Sequence, residues 1–267
     1  MKIERLRLDN LREGVFCARG KAHGEEMYQQ LEAWLEGDKL KGRIARDDNG
    51  DVAGFILYYP IEEAPLDVEG EGLYMVQCLF VKPEFQNRGA GRGLIESALA
   101  DARESGASGL GVEGFEQQDV EGHQYMPGTF FEDLGMTPGE SRGPGTLYYA
   151  RLGETGKPPR YLQPRLSVPK NQAKVRIDIL DCRRCYVGVS NRELVKSVME
   201  QVADQYGEHL ELVVHDQNTR HAVVDKGMSS GVFVDGKLTF FRGPVSEEDI
   251  LNAINVAVSA RKRRTDR

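Results

Sequence analysis

Cysteine is scarce in this chain. Four residues in 267, Cys17, Cys78, Cys182 and Cys185, do not make the disulfide framework of a secreted protein, so a reducing, cytoplasmic location is expected. Long apolar runs are missing too. None approaches the roughly 20 residues that span a bilayer, so no membrane partner is expected. Residues 1–8 alternate polar and apolar and read as a first strand, not a signal peptide. Two phosphate-binding patterns are absent. Gly89, Gly91 and Gly93 alternate and so miss G-x-G-x-x-G, and no Gly-Lys-Ser/Thr follows them. Excess positive charge is absent from the front of the chain. Residues 1–156 carry −12 and residues 157–267 carry +5 of the net −7. An acidic front excludes nucleic acid as its expected partner and suits a cationic, amine-bearing small molecule, or merely keeps a surface soluble.

The stretch around which the chain is organised runs over residues 81–94. An apolar run of strand length, residues 73–81, leads into it. Leu94, Ile95, Ala98, Leu99 and Ala102 then mark one face of a helix. Between them, Gly89, Gly91 and Gly93 allow a tight turn and close approach of a ligand. Free N–H groups at a helix N-terminus suit a pyrophosphate.

Gln86-Asn87-Arg88-Gly89-Ala90-Gly91 reads as Gln/Arg-x-x-Gly-x-Gly/Ala, and in this it resembles the acyl-CoA signature of the GNAT N-acetyltransferases. The segment Phe130-Phe131-Glu132-Asp133-Leu134-Gly135-Met136 resembles that family's C-terminal Phe-Tyr-Glu-Lys-Leu-Gly-Phe. The resemblance implies acetyl-CoA as acyl donor, held by Leu79, Phe80 and Val81 on the strand and by Gln86, Asn87, Arg88, Gly89, Ala90, Gly91 and Arg92 in the turn. Candidate general bases are Glu71 before the central strand, Glu113 on the next strand and His123 in a loop. The tyrosine that the family commonly uses as general acid is replaced by Phe131, which leaves Tyr125, water or an unassisted thiolate. Cys78 lies beside the expected thioester path, as a structural cysteine or an acyl-carrying one.

The front half, 1–153, has the order β-α-β-β-β-α-β-α-β, an α/β (α+β) mixed sheet flanked by helices. Residues 114–128 read as loop. Residues 154–172 hold Pro158, Pro159, Pro164 and Pro169 and read as a linker or extended arm. Residues 173–260 form a second pattern, β-α-β-α-β-β-α, the thioredoxin order, and 261–267 a basic, frayed tail. Ser190-Asn191-Arg192-Glu193 is a capping box expected to open the first helix of that half. Cys182-Arg183-Arg184-Cys185 follows its first strand, where a smaller thioredoxin-like domain places its Cys-x-x-Cys. Redox activity, soft-metal binding and an inert role all stay open. Tyr186 to Val189 stand between the motif and the expected helix start, no proline occupies Ser229-Ser230-Gly231, and two thiolates alone do not complete a zinc site.

Taken whole, the chain resembles the YoaP-like group of GNAT proteins, through Val15-Phe16-Cys17, Met75-Val76-Gln77-Cys78, Cys185-Tyr186 and Gly231-Val232-Phe233. The function implied is acetyl transfer to a small amine or amino-acid-like substrate, with an appended Cys-x-x-Cys module. The alternative is a thiol redox or soft-metal protein with a regulatory acyl-CoA-binding domain. A homodimer is a possible assembly.

Overall fold

The protein is described by a computed structural model covering residues 1–116, 119–120, 123–154, 156–166, 173–240 and 245–265. It divides into two compact units. The first is Met1–Arg19 with Tyr28–Leu162; the second is Gly20–Met27 with Gln163–Arg267. Among the described residues no helix is long and apolar enough to cross a membrane.

The first unit runs from Lys2–Arg5 (β1) through a short helix, Leu11–Gly14 (α1), and the longer Gly24–Glu36 (α2), which belongs to this unit from Tyr28 on and whose Leu31 and Trp34 are buried at helical spacing. Lys41–Arg46 (β2) and Val52–Pro60 (β3) form a hairpin. Its turn is closed by Asp47, whose carboxylate accepts the N–H groups of Asn49 and Asp51 at 3.0 and 2.8 Å. Val68–Glu69 (β4), Tyr74–Val81 (β5), Ala90–Glu104 (α3) and Gly109–Phe115 (β6) follow. Then come Asp119–Val120 (β7), His123–Gln124 (β8), Gly128–Asp133 (α4), Thr137–Arg142 (β9), Gly145–Arg151 (β10) and Arg160–Tyr161 (β11). The main sheet has seven strands in the order β1-β2-β3-β5-β6-β10-β9. It is mixed: β5 and β6 are parallel, and the other neighbours are antiparallel. Helix α3 lays Leu94, Ile95, Ala98 and Ala102 on one face of it, above Ile56, Tyr58, Tyr74, Val76 and Val112. Each fully buried Leu or Ile there contributes about 1.5–3 kcal/mol.

Strand β9 is absent from the sequence pattern. Its residues, Thr-Pro-Gly-Glu-Ser-Arg, are almost all exposed at a sheet edge, so there is no apolar alternation to read. The expected linker is also divided. Within 154–172, β11 pairs with β4, and the first unit ends at Leu162. Arg142 pins this return, forming an ion pair with Asp67 and donating to the Leu162 carbonyl at 3.0 Å. Residues 155 and 167–172 lie outside the described residues.

The second unit contains Val175–Asp181 (β12), Tyr186–Gln201 (α5), Ala203–Tyr206 (α6), Leu210–Asp216 (β13), Arg220–Lys226 (α7), Gly231–Val234 (β14), Lys237–Phe240 (β15) and Glu247–Thr265 (α8). Its sheet order is β13-β12-β14-β15, with β12 and β13 parallel and the rest antiparallel. Val195, Val198, Ile250, Ile254 and Val258 from α5 and α8 bury against Val175, Ile177 and Ile179. Asp235 and Gly236 turn the hairpin with φ of +51° and +73°, which an Asp-Gly pair tolerates. Two expectations fail here. Helix α5 opens at Tyr186, four residues before the capping box, because Cys185 takes the extended N-cap conformation (φ −139°, ψ 154°). The basic tail does not fray at residue 261: α8 continues to Thr265, and Arg261 pairs with Asp235 at 2.7 Å. Residues 266 and 267 lie outside the described residues.

Candidate active site

The site begins where β5 and β6 separate. They pair from Tyr74–Leu110 to Val76–Val112 and no further, although β5 continues to Val81 and β6 to Phe115. The cause lies in β5. Its register with β3 shifts between Leu57–Cys78 and Tyr58–Val76, leaving Gln77 as an extra residue that bends the strand. At its far end β6 pairs elsewhere, since the Phe115 N–H donates to the Met126 carbonyl at 2.9 Å. Beyond Val76 the β5–β6 ladder therefore stops. A strand edge at which two neighbours part is where an extended, amide-bearing chain can be accepted.

The cradle sits at the end of the same strand. A short turn, Pro83–Phe85, leads to Gln86, whose side-chain amide donates to the Val81 carbonyl at 3.2 Å and so ties the loop to the strand end. Asn87 and Gly89 then adopt left-handed φ of +58° and +83°. Gly89 caps α3, and no side chain caps the helix with a hydrogen bond. The first N–H groups of an α-helix have no intrahelical acceptor, and here they follow an exposed loop carrying Arg88, with Arg92 exposed in the first turn of α3. A Cβ on Gly91 would stand 3.1 Å from the Phe130 ring, so α4 closes one side of the cradle.

The structure separates the candidate bases. Glu113 is the first residue of β6 beyond the last pair with β5, at the mouth of the separation, and it is half-buried. The Tyr161 hydroxyl donates to its carboxylate at 2.6 Å. Burial raises the Tyr161 pKa above its ordinary value, so the phenol stays protonated and donates. Gly145 leaves the room for this carboxylate: a Cβ there would lie 2.3 Å from Oε1 of Glu113. Glu71 is exposed and precedes the opposite end of β5 from the cradle, so the fold does not bring it to the site. His123 lies in β8, and its side chain is outside the described residues. Tyr125 stacks on Phe115, with centroids 6.0 Å apart, at the open end of β6. Phe131 is fully buried against Tyr148 and belongs to the core. Tyr161 escaped the sequence reading because it lies in the Pro-rich stretch. The β4–β11 pairing, with the Tyr161 N–H donating to Glu140 at 2.9 Å, carries it to Glu113.

With this geometry in place, comparison with known proteins is informative. Residues 8–120 match the model of the Acetyltransferase (GNAT) family. An uncharacterized N-acetyltransferase, YoaP of Bacillus subtilis (strain 168), is 23% identical over 141 residues, 51% of this chain and 53% of its own length. The chain thus matches about half the length of that relative. Together these support the GNAT acetyltransferase family for the first unit, whose large mixed sheet flanked by helices is GNAT-like. Among solved structures, a GNAT acetyltransferase from Brucella melitensis in complex with acetyl-CoA is 20% identical, covers 59% of this chain and 90% of its own, and has a TM-score of 0.37. PaiA N-acetyltransferase from Thermoplasma acidophilum in complex with coenzyme A is 16% identical, covers 57% and 100%, and has a TM-score of 0.41.

Outside the GNAT match, the second unit holds the Cys182–Cys185 turn at the junction of β12 and α5. Cys182 is 1% exposed and Cys185 is partly exposed. The two thiols hydrogen-bond each other, and the consequences are opposite. The bond from Cys182, reinforced by Arg184 and the N–H groups of Val187 and Gly188, lowers the Cys185 pKa to about 6. The same bond, with burial, pushes the Cys182 thiol well up. Asn218 anchors the turn: its Oδ1 accepts the Arg183 N–H at 2.7 Å and its amide donates to the Asp181 carbonyl at 3.1 Å. Where the sequence lacks a proline, the buried Ser229 hydroxyl accepts from Arg184 at 2.8 Å. Among the described residues no three His, Cys, Asp or Glu side chains lie together in a metal-binding group. Cys17 and Cys78 form no disulfide and are partly buried.

Proposed function

We propose that the first unit is an acetyl-CoA-dependent N-acetyltransferase acting on a small amine-bearing acceptor. The observation that carries this reading is the separation of β5 from β6 directly above the glycine-capped N-terminus of α3. A pantetheine arm would lie along the freed edge at Leu79 to Val81. The pyrophosphate would rest on the N–H groups from Gln86 to Arg92. The thioester would then stand near Glu113. Holding donor and acceptor in line supplies much of the rate acceleration.

Transfer needs one proton removed from the amine and one delivered to the departing thiolate. Glu113 takes the first, directly or through a water. The amine nitrogen bonds to the thioester carbon, and the tetrahedral centre collapses with rupture of the C–S bond. Tyr125, stacked on Phe115 at the end of β6, is our candidate to protonate the CoA thiolate. Tyr161 does not touch substrate in this scheme: it is a positioning residue that orients the Glu113 carboxylate. The appended second unit we read as thioredoxin-like, supported by its element order and its β13-β12-β14-β15 sheet.

The test is CoA release from acetyl-CoA across a panel of small amines. Turnover is expected with at least one amine, and Glu113→Gln should lower kcat about 100-fold or more. Tyr161→Phe should lower kcat less and shift the pH profile while leaving the KM for acetyl-CoA unchanged. Tight acetyl-CoA binding without turnover on any amine would reduce the unit to an acyl-CoA-binding module.

A further inference from the structure

We propose that Cys182 and Cys185 form a dithiol site that reduces a disulfide, with Cys185, the second cysteine of the motif, as the attacking thiolate and Cys182 as the buried resolving thiol. The inference is independent of acetyl transfer in the first unit. Its basis is positional. Helix α5 begins at Tyr186, so Cys185 occupies the N-cap and the helix dipole acts on its sulfur. Cys182 sits three residues earlier, at the end of β12, where its 1% exposure denies it to any incoming disulfide. Its thiol neighbours Cys185 and favours the Cys185 thiolate. Gly188 makes the approach possible. A Cβ there would stand 2.1 Å from the Cys182 carbonyl oxygen and 3.2 Å from the Cys182 Cβ, so only glycine lets the first turn of α5 close on Cys182.

The charged surroundings are consistent. Arg184 in the turn lowers both thiol pKa values. Asp181 at the end of β12 is paired with Arg192 of α5 at 3.1 Å, and Arg183 bonds Asp216 of β13 at 2.8 Å, so both neighbouring carboxylates are compensated.

The chemistry balances as follows. The Cys185 thiolate attacks one sulfur of a disulfide R–S–S–R′, the S–S bond breaks, and R′–S⁻ leaves and takes a proton from solvent. Once Cys185 is in the mixed disulfide, its negative charge no longer holds the proton on Cys182. Cys182 then loses that proton to the departing R–S⁻ as its sulfur attacks Cys185. The protein dithiol is oxidised by two electrons to a Cys182–Cys185 disulfide, and the substrate disulfide is reduced to two thiols.

The experiment uses reduced full-length protein and oxidised glutathione as the disulfide probe, followed by intact mass and peptide mapping. Wild type should end with the loss of two hydrogens, mapped to Cys182–Cys185. Cys182→Ser should accumulate one glutathionyl group on Cys185. Cys185→Ser should take none on Cys182. At pH 6 about half of Cys185 is thiolate. An ordinary thiol of pKa about 8.5 is thiolate to about one part in 300 there, and weaker nucleophilicity at low pKa returns about tenfold of the difference. Cys185 should therefore react roughly tenfold faster at pH 6 than an ordinary exposed thiol. An adduct on Cys182 in Cys185→Ser at the same rate, or wild type that stops at a mixed disulfide, overturns the proposal. The wild-type result does not depend on either variant folding.

Discussion

The turn from β5 into α3 and the turn from β12 into α5 both deliver a strand end to a helix N-terminus. In the first, glycine and an open strand edge leave the helix N–H groups bare, and the loop from Gln86 to Gly89 is exposed. In the second, the N-cap position is held by Cys185, a titratable thiol next to the buried Cys182. A helix N-terminus preceded by glycine offers a place for someone else's negative charge; one preceded by a thiol can generate its own. On this reading the same positive field would serve anion binding in one unit and thiolate formation in the other. What differs is whether a titratable side chain occupies the N-cap.

The comparison can be broken at either turn. The largest effect is expected from Gly89→Glu. Its φ of +83° strains any L side chain, and its Cβ meets nothing within 4 Å, so a carboxylate would project freely into the cradle. Acetyl-CoA binding should fall by about 100-fold or more by titration calorimetry, since like charge and strain act together. Glutathionylation of Cys185 should be unchanged. The mirror variant is Gly188→Ala, which forces α5 off Cys182. It should slow the reaction of Cys185 with oxidised glutathione at pH 6 by about tenfold, as the thiolate loses its hydrogen-bond donor, with acetyl-CoA binding intact.

A third variant separates helix stability from helix function. Asp101 of α3 accepts hydrogen bonds from Arg43 and Tyr58. Burial alone would raise its pKa, but the Arg43 and Tyr58 bonds outweigh that and lower it. A carboxylate with a depressed folded pKa stabilises above the unfolded value and loses that contribution as pH falls through the folded one. The pair should therefore hold the first unit at neutral pH and fail below about pH 4. Asp101→Asn should cost about 2 kcal/mol in chemical denaturation at pH 7 and much less at pH 3. The smallest effect is expected from Arg184→Ala, which should move the pH midpoint of Cys185 alkylation upward without abolishing the reaction.

Much of the cradle was legible because it is local. Strand, glycines and helix face follow one another within a few turns of chain, and each is read from neighbouring residues. The α3 and α8 faces, the two hairpins and the short helix before Gly135 are likewise visible as periodicity and turn chemistry. Strand β9 was not, because an exposed edge strand containing proline and glycine carries no alternation. The start of α5 was misjudged for a related reason. Ser-Asn-Arg-Glu is a sound capping box in isolation, yet packing on β12 continues the helix back to Cys185, and Asn191 instead accepts the Val245 N–H at 3.2 Å.

Sequence by itself determined the strand, glycine turn and helix that we propose as the donor site, since such a turn is built from backbone that neighbouring glycines control. It also determined that two cysteines follow a strand at a spacing suited to shared chemistry. Only the tertiary structure decided which candidate carboxylate lies where β5 and β6 part, Glu113 and not Glu71, and Tyr161 reaches it through a two-residue strand pairing across the chain. Only the tertiary structure decided which thiol is exposed, because burial of Cys182 and the N-cap position of Cys185 arise from the packing of α5 on β12. Short-range order sets the elements; the partners of a titratable side chain are set by whatever the fold brings alongside it.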